Sequence, residues 1–316
     1  MAWTTADIPD QTGRVAVVTG ANGGLGLETA RELARRGAQI VMAARNQDKA
    51  ETARRALLAE IPSASLEVRR LDLASLESIH EFAAHVLGTH DTIDLLVNNA
   101  GVMGTPRRET ADGFELQFGT NHLGHFALTA LLMPGLLSGS DARVVTITST
   151  ARHFRSPLDP NDLNLELSYD PWRAYGRSKM ANLQFAVELN LRLEVAGASV
   201  ASLVAHPGFS HTDLQAQSVR ATEGGASQRF FHLTVGWFGM PARDGALSQL
   251  RAATDPAARG GELYAPRWAN SGPPARRPIV GRSKRPEELR TLWDISERET
   301  GVAFDVGALT QRARKK

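Results

Sequence analysis

Short apolar runs alternate with longer amphipathic segments from residue 14 onward. The first run, RVAVVTG, is rich in β-branched residues and predicts a strand. The next segment is LGLETARELARRG, whose apolar residues recur at helical spacing and whose end is marked by Gly37. Three further pairs begin at AQIVMAAR, SLEVRRLDL and TIDLLVNNAG. This repeated alternation of strand and helix predicts an α/β fold with a parallel sheet.

The alternation continues to about residue 208 and then becomes less regular. We expect a helix from about Ala111 to Leu137, a fifth strand at RVVTITS, a helix from about Pro171 to Val195 and a sixth strand at ASVASLVAHPG. Beyond Gly208 we expect helix and loop over 209–240, a helix over 242–254, a strand at LYAP, a loop over 270–287 and a final helix. The predicted fold class is a Rossmann-type doubly wound parallel sheet.

No linker composition or internal repeat divides the chain, so we predict a single domain over 1–316. Its regular core covers about 12–215, and a C-terminal elaboration with a substrate loop covers about 209–316. Hydrophobic residues make up 42% of the chain, enough for a sizeable core. Lys and Arg total 36 against 34 Asp and Glu, and this balance gives no support to a nucleic-acid partner.

Compartment and membrane signals are weak in this sequence. The N-terminal MAWTTADIPDQTGR lacks the basic start and the apolar stretch of a secretory signal. No run reaches the roughly 20 apolar residues of a spanning helix, and the nearest, Phe230 to Met240, contains His and two Gly. The chain has no Cys, which excludes disulfides and thiolate metal sites and suits a reducing compartment. We expect a cytoplasmic protein without a spanning segment.

Glycines cluster where the first strand meets its helix. The sequence there is Thr19-Gly20-Ala21-Asn22-Gly23-Gly24-Leu25-Gly26. Such a loop lets the backbone approach a pyrophosphate at a helix N-terminus, where N–H groups are unpaired. A tight turn alone would also use glycine, but this is the first βα junction of a chain with several βα units. We predict a dinucleotide-binding domain in which this loop, Gly20, Asn22, Gly23, Gly24, Leu25 and Gly26, binds the cofactor.

The end of the second strand bears on the choice of cofactor. An acidic residue at this position binds the adenosine ribose in many dinucleotide folds, whereas an Arg accommodates a 2′-phosphate. The strand ends Ala43-Ala44-Arg45-Asn46, without a carboxylate. Arg45 offers a planar fork of donors that fits a phosphate. The sequence therefore favours NADP(H) over NAD(H), although a solvated Arg at a strand end would give the same pattern.

Four more features occur in a fixed order: Asn98-Asn99-Ala100-Gly101 after the fourth strand, Asn121 in a helix, Ser149 at the end of the fifth strand, and Tyr175 with Lys179. Together with the glycine loop they resemble the short-chain dehydrogenase/reductase family over roughly residues 12–215. The wider sequence resembles the branch that contains retinol dehydrogenases, WW-domain oxidoreductases and protochlorophyllide reductase-like proteins. The cysteines of light-dependent protochlorophyllide reductases have no counterpart in this chain.

The resemblance implies roles for particular residues. It assigns Asp72 and Leu73 to the adenine, and Asn98, Ala100 and Gly101 to sheet stabilisation and the ribose side. It assigns Pro207, Gly208 and Thr212 to the nicotinamide side. It also implies that Lys179 holds the nicotinamide ribose beside Tyr175, and that Asn121 anchors a water molecule leading protons to Lys179.

The residues themselves suggest acid–base chemistry. Tyr175 and Lys179 are four apart, so they share one face of a helix, and we expect the ammonium to lower the pKa of the phenol. Tyr175 would then donate a proton to a carbonyl oxygen, or remove one from an alcohol. Ser149 would donate a hydrogen bond to the same oxygen. Its neighbours Thr148 and Thr150 also carry hydroxyls. The choice of Ser149 therefore depends on aligning this strand end with the family motif, and a shift of one residue would select a threonine instead.

Other candidates favour structural roles. His122 and His125 are three apart, without the acidic companion of a metal motif, so we interpret them as packing residues and expect no metal site. His153 and Phe154 fit either a cleft wall or an exposed loop. The apolar residues of 209–240 either cap a substrate pocket or pack against the core or a subunit. We interpret the basic end, 312–316, as a frayed terminus.

The leading hypothesis is an NADP(H)-dependent oxidoreductase that interconverts a carbonyl and an alcohol on a small or lipophilic molecule. The alternatives are an NADP(H)-binding sensor or scaffold with little turnover, and a lyase or epimerase. A fold by itself does not choose among them. The sequence leaves open whether the chain forms a homo-oligomer.

Overall fold

The structure is a computed structural model that describes residues 2–154, 158–208, 240–268 and 270–315, without the side chain of residue 282. Its strands are β1 (Val15–Thr19), β2 (Gln39–Ala44), β3 (Ser65–Arg70), β4 (Leu95–Asn98), β5 (Arg143–Ile147), β6 (Ala201–Ala205), β7 (Leu263–Pro266) and β8 (Pro274–Arg277). Its longer helices are α1 (Gly24–Arg35), α2 (Gln47–Glu60), α3 (Leu76–Thr89), α4 (Gly124–Ser138), α5 (Pro171–Ala196), α6 (Ala242–Thr254), α7 (Pro286–Thr300) and α8 (Val306–Ala313).

The strands form one sheet in the order β3-β2-β1-β4-β5-β6-β7-β8. Strands β1 to β7 are parallel and only β8 runs antiparallel, beside β7. The chain moves outward from β1 to β3 and then returns to β4 on the other side of β1, so the winding reverses between β1 and β4. Loops after the parallel strands gather at their carboxyl ends, and such a reversal opens a crevice there. The doubly wound parallel sheet predicted from the sequence is confirmed.

Both faces of the sheet are buried. Along β1, Val15 and Val17 face one apolar cluster, whereas Ala16 and Val18 face another. Helices α3, α4 and α5 cover the first face, and α1, α2 and α6 cover the second. Alternate residues of a strand point to opposite faces, so a strand covered on both sides must be apolar throughout. That requirement explains the continuous apolar run of β1.

Two sequence-based predictions of secondary structure need correction. The helix expected from about Ala111 begins only as a short turn at Leu116–Phe118, passes through a π-helical turn at Gly119–Leu123 and continues as α4. The buried Glu115 carboxylate accepts hydrogen bonds from the backbone of 117 and 118, which fixes this start. The loop expected over 270–287 contains β8, because its backbone pairs with β7 from Leu263 to Pro266.

The C-terminus is also more ordered than the sequence suggested. Helix α8 begins at Val306, capped by the side chain of Asp305, and extends into the basic end. Arg314 donates a hydrogen bond of 2.6 Å to the carbonyl of Gly197, the left-handed residue that ends α5. The interpretation of 312–316 as frayed is therefore wrong up to Arg314, because its guanidinium holds the end of another helix.

Candidate active site

The glycine loop joins β1 to α1 with little room for side chains. Gly20 and Gly24 have positive φ angles of 70° and 52°, which only glycine adopts readily. A Cβ atom on Gly26 would lie 2.4 Å from the carbonyl oxygen of Gly20 and 2.6 Å from Nδ2 of Asn99. Gly23 precedes α1 without a side-chain cap, so the first N–H groups of the helix face outward. This arrangement suits a close approach by a phosphate.

A cavity of about 470 Å³ lies along the carboxyl ends of the central strands. It contains the site residues predicted from the sequence at Gly20, Asn22, Gly23, Gly24, Leu25, Arg45, Asp72, Leu73, Ala100, Gly101, Ser149, Tyr175, Lys179, Pro207 and Gly208. The fold therefore brings residues from the ends of six strands, β1 to β6, into one crevice. Its lining runs from the end of β2 to the residues after β6 and so crosses the reversal of winding between β1 and β4.

Three predicted residues do not line the cavity. Gly26 lies behind the loop, where its lack of a Cβ permits the close contact with Gly20. Asn98 is fully buried beneath the site and donates a hydrogen bond of 3.0 Å to the Thr129 hydroxyl. Asn121 lies behind Gly101. Thr212, together with most of the 209–240 segment, falls outside the residues that the structure describes.

The side chain of Asn121 organises the wall behind Lys179. Its Nδ2 donates to the carbonyl of Val102 and to the Ser178 hydroxyl, both at 2.9 Å, and its Oδ1 accepts the Val102 N–H at 2.8 Å. A Cβ on Gly101 would lie 2.9 Å from this Oδ1 and 3.5 Å from Nζ of Lys179. Glycine at 101 thus leaves room for the Asn121 amide oxygen and the Lys179 ammonium beside the backbone.

Tyr175, Ser149 and Lys179 meet at one end of the cavity. Nζ of Lys179 lies 5.8 Å from the centre of the Tyr175 ring and donates a hydrogen bond of 3.3 Å to the Ile147 carbonyl. The Thr148 hydroxyl points away from the cavity end and donates to the carbonyl of Lys179 at 2.6 Å. Of these two neighbouring hydroxyls, that of Ser149 is the one within hydrogen-bonding reach of the Tyr175 phenol.

Burial dominates the electrostatics of this pair. It raises the pKa of Tyr175 to about 12, opposed only by the nearby Ser149 hydroxyl. It also lowers the pKa of Lys179 from 10.5 to about 8. The sequence-based expectation that Lys179 lowers the pKa of Tyr175 is wrong for this state, because removing a phenolate from water outweighs the attraction of the ammonium. The Tyr175 phenol is thus neutral at physiological pH, and Lys179 titrates close to it.

The opposite end of the cavity is basic. Arg45 is exposed, lines the crevice and has no hydrogen-bond or ion-pair partner among the described residues. Lys49 lines the same end one helical turn later, and Asn46 lies between them. Sequence reasoning identified Arg45 but missed Lys49, although the spacing of four residues was visible.

The wall near Tyr175 contains residues that sequence reasoning did not assign. Trp172 packs edge-on against the Tyr175 ring, with centroids 6.4 Å apart, and lines the cavity with Met103. Phe154 also lines it while being 72% exposed, so both sequence-based interpretations of this residue, cleft wall and exposed loop, describe its position. His153 is exposed and lies outside the cavity lining. The wall of the crevice near Tyr175 therefore includes apolar and aromatic side chains.

Comparison with known proteins agrees with this geometry. The family model for short chain dehydrogenases matches residues 14–223, which include every strand from β1 to β6 and the Ser149–Tyr175–Lys179 group. The chain belongs to the short-chain dehydrogenase family. Within this family it lies in the branch of the retinol dehydrogenases, as the sequence-based resemblance indicated.

Individual relatives support that placement. Human retinol dehydrogenase 13 is 45% identical over 203 residues, which are 64% of this chain and 60% of that protein. Mouse polyprenol dehydrogenase is 38% identical over 302 residues, covering 93% of this chain and 86% of that protein. Several of the most similar curated relatives thus match over less than two thirds of their own length, while others match nearly throughout.

Solved structures show the same fold. An uncharacterized protein from Mycobacterium paratuberculosis is 41% identical, with a TM-score of 0.79 over 96% of this chain and 99% of that one. A protein from Beutenbergia cavernae, assigned as an NAD(P)-dependent gluconate 5-dehydrogenase and containing NADP at low occupancy, is 25% identical, with a TM-score of 0.60 over 81% and 96% of the two chains. Together with the cavity, these likenesses support a nicotinamide cofactor for this family member.

Neither a membrane-spanning helix nor a metal-binding cluster occurs among the described residues. None of the helices that the structure describes is long and apolar enough to cross a membrane. Across the same residues, no three His, Asp or Glu side chains lie close enough to hold a metal ion. His122 instead packs against Phe118 and Phe185, with ring centroids 5.1 and 6.0 Å apart.

Proposed function

We propose that this short-chain dehydrogenase is an NADP(H)-dependent oxidoreductase that interconverts a carbonyl and an alcohol on a lipophilic substrate. The observation that carries the proposal is the meeting of Tyr175, Ser149 and Lys179 at one end of a cavity of about 470 Å³ whose other end holds Arg45. One end thus provides proton transfer and the other an anion-binding group.

The side chains at the reacting end have separate tasks. When bound, a reduced nicotinamide supplies the hydride. Tyr175, held neutral by burial, donates its hydroxyl proton to the substrate oxygen, and Ser149 donates a hydrogen bond to that oxygen as negative charge develops. Lys179, with its pKa of about 8, holds a proton near neutral pH that can restore Tyr175 after each turnover. In alcohol oxidation the same groups work in reverse.

The preference for NADP(H) rests on the basic end of the cavity. Arg45 directly follows β2 and projects without a carboxylate partner among the described residues, so its donors are available to a 2′-phosphate. Lys49 adds a second positive charge to the same wall. At the end of β2 itself, Ala43-Ala44-Arg45-Asn46 offers no carboxylate to receive the paired hydroxyls of an unphosphorylated ribose.

The lipophilic substrate class is inferred from the outer wall of the reacting end. Trp172, Phe154 and Met103 line the cavity there, and the exposure of Phe154 leaves apolar surface for a ligand to cover. The names of the relatives, retinol and polyprenol dehydrogenases, point to the same class of long apolar alcohols.

The test follows the absorbance of the reduced nicotinamide while purified protein is offered retinal, a polyprenal, short aldehydes and ketones. We expect turnover of the long apolar carbonyls with NADPH. Tyr175→Phe should lose about 10²- to 10⁴-fold in turnover while still binding NADPH. Tyr264→Phe is a matched control, because its hydroxyl bonds Glu262 at 2.8 Å outside the cavity. Full activity of Tyr175→Phe would refute the mechanism, and NADPH binding without turnover of any carbonyl would favour a sensor.

A further inference from the structure

His125 lies between the cofactor loop and Asn121. Its side chain is 1% exposed and sits near the start of α4. Nδ1 of the ring lies 2.9 Å from the backbone carbonyl oxygen of Asn121, and Nε2 lies 3.0 Å from Oγ1 of Thr19, the last residue of β1. One imidazole thus spans two segments that are a hundred residues apart in the chain.

The hydrogen-bond network assigns the protonation state of this ring. A carbonyl oxygen only accepts, so Nδ1 of His125 carries the hydrogen and donates it to Asn121. Burial lowers the pKa of His125 to about 4, so the ring is neutral and Nε2 is an acceptor. Two acceptors lie within reach of the Thr19 hydroxyl, Nε2 at 3.0 Å and the Val97 carbonyl at 3.3 Å, and we assign its hydrogen to the nearer, Nε2. The hydroxyl oxygen remains free to accept the N–H groups of Asn99 and Ala100, both at 2.9 Å.

This chain of hydrogen bonds connects the two halves of the site. Thr19 immediately precedes Gly20, the first glycine of the cofactor loop, and Ala100 lines the cavity. At the other end, the side chain of Asn121 holds the backbone of Val102 beside the Lys179 ammonium. A shift of the His125 imidazole would therefore move both Thr19, which anchors the cofactor loop, and Asn121, which anchors the backbone beside Lys179.

We propose that His125 is a positioning residue that holds the cofactor loop through Thr19 and the proton-handling end through the Asn121 carbonyl. The proposal rests on the proposed function, and it replaces the sequence-based interpretation of His125 as a packing residue. His122 keeps that interpretation. Its burial is the same, but its Nε2 lies 2.8 Å from the Ser296 hydroxyl, away from both segments.

Two substitutions separate the two contacts. In His125→Asn the amide nitrogen takes the place of Nδ1 and keeps the Asn121 contact, while the Thr19 contact is lost. In His125→Gln the amide oxygen reaches the place of Nε2 and keeps the Thr19 contact, while the Asn121 contact is lost. We expect His125→Asn to weaken NADPH binding about tenfold with turnover nearly retained, and His125→Gln to do the reverse.

The measurements are NADPH affinity by quenching of tryptophan fluorescence, turnover on a verified carbonyl, and urea unfolding. Parallel losses in affinity and turnover for both variants would overturn the proposal, because a purely structural histidine would act in that way. His122→Asn and His122→Gln are the matched controls, and we expect them to lower stability without separating affinity from turnover.

A second pair of variants keeps the test decisive if the His125 variants fold poorly. Thr19→Ser retains the hydroxyl and should bind NADPH as the wild type does, whereas Thr19→Val should weaken binding about tenfold. Equal affinities for these two would overturn the link to the loop. NADPH affinity is measured without turnover, so a protein that binds NADPH but reduces no carbonyl refutes the proposed function while the Thr19 comparison still decides this one.

Discussion

Lys179→Met should make the protein more stable near neutral pH while destroying its activity. Lys179 is 3% exposed, and among the described residues its ammonium has one hydrogen bond, to the Ile147 carbonyl. That carbonyl also accepts from Nδ2 of Asn182 at 3.0 Å, so removing the lysine leaves it satisfied. Methionine fills a similar volume without a charge. The substitution therefore removes a buried cation without creating a cavity or an unpaired acceptor.

The size of the effect follows from the pKa of Lys179. Its value falls from 10.5 to about 8 on burial, and each tenfold loss of proton affinity corresponds to about 1.4 kcal/mol. Holding the charged form inside the folded protein thus costs on the order of 3 kcal/mol near pH 7. Because the unfolded chain binds more protons between pH 8 and 10.5, wild-type stability should rise with pH through that window.

Urea unfolding of the cofactor-free proteins, followed by tryptophan fluorescence, tests this at about pH 7 and about pH 9.5. We expect the advantage of Lys179→Met to shrink by about 2 kcal/mol between the two conditions, because the wild type loses its buried charge. Other titrating groups are common to both proteins and cancel in this difference. A variant less stable than the wild type near neutral pH, or the same pH dependence in both, would refute the reasoning.

Three further predictions concern other parts of the molecule. Arg45→Ala should weaken NADPH binding about 10- to 150-fold in calorimetry and spare NADH, because it removes one charge-assisted contact; equal losses for both cofactors would contradict it. Gly26→Ala should abolish binding of both cofactors in the same assay, since its Cβ would lie 2.4 Å from the Gly20 carbonyl. Arg177→Met should destabilise the protein by about 3–5 kcal/mol in urea, because it leaves the buried Glu115 carboxylate, 3.7 Å away, without its cation; adding Glu115→Gln should recover part of the loss.

The regular part of the fold could be predicted because its signals are local. Strand β1 reads as a continuous apolar run since both of its faces are covered, and α6 at Ala242–Thr254 has the bounds expected from its periodicity. The glycine loop is likewise local, because a few residues with positive φ define a turn at a known junction. Strand β8 could not be predicted, since four residues rich in Arg and Pro become a strand only by pairing with β7.

The candidate active site also has one part that could be predicted from the sequence and one part that could not. The ordered positions of the glycine loop, Ser149, Tyr175 and Lys179 are visible in the sequence, and their presence at one sheet edge follows from parallel topology. Residue type and order therefore determined which groups enter the crevice.

The electrostatics and the supporting contacts were decided only by tertiary structure. Spacing along a helix suggested that Lys179 would govern the pKa of Tyr175, yet burial by distant segments sets both values. His125 and His122 look alike in the sequence, but one bonds Thr19 and the other Ser296, residues more than a hundred positions away. Desolvation and long-range hydrogen bonds depend on what packs around a side chain. The sequence determined this protein's elements and reactive groups, and their packing determined the protonation states and the contacts that hold them.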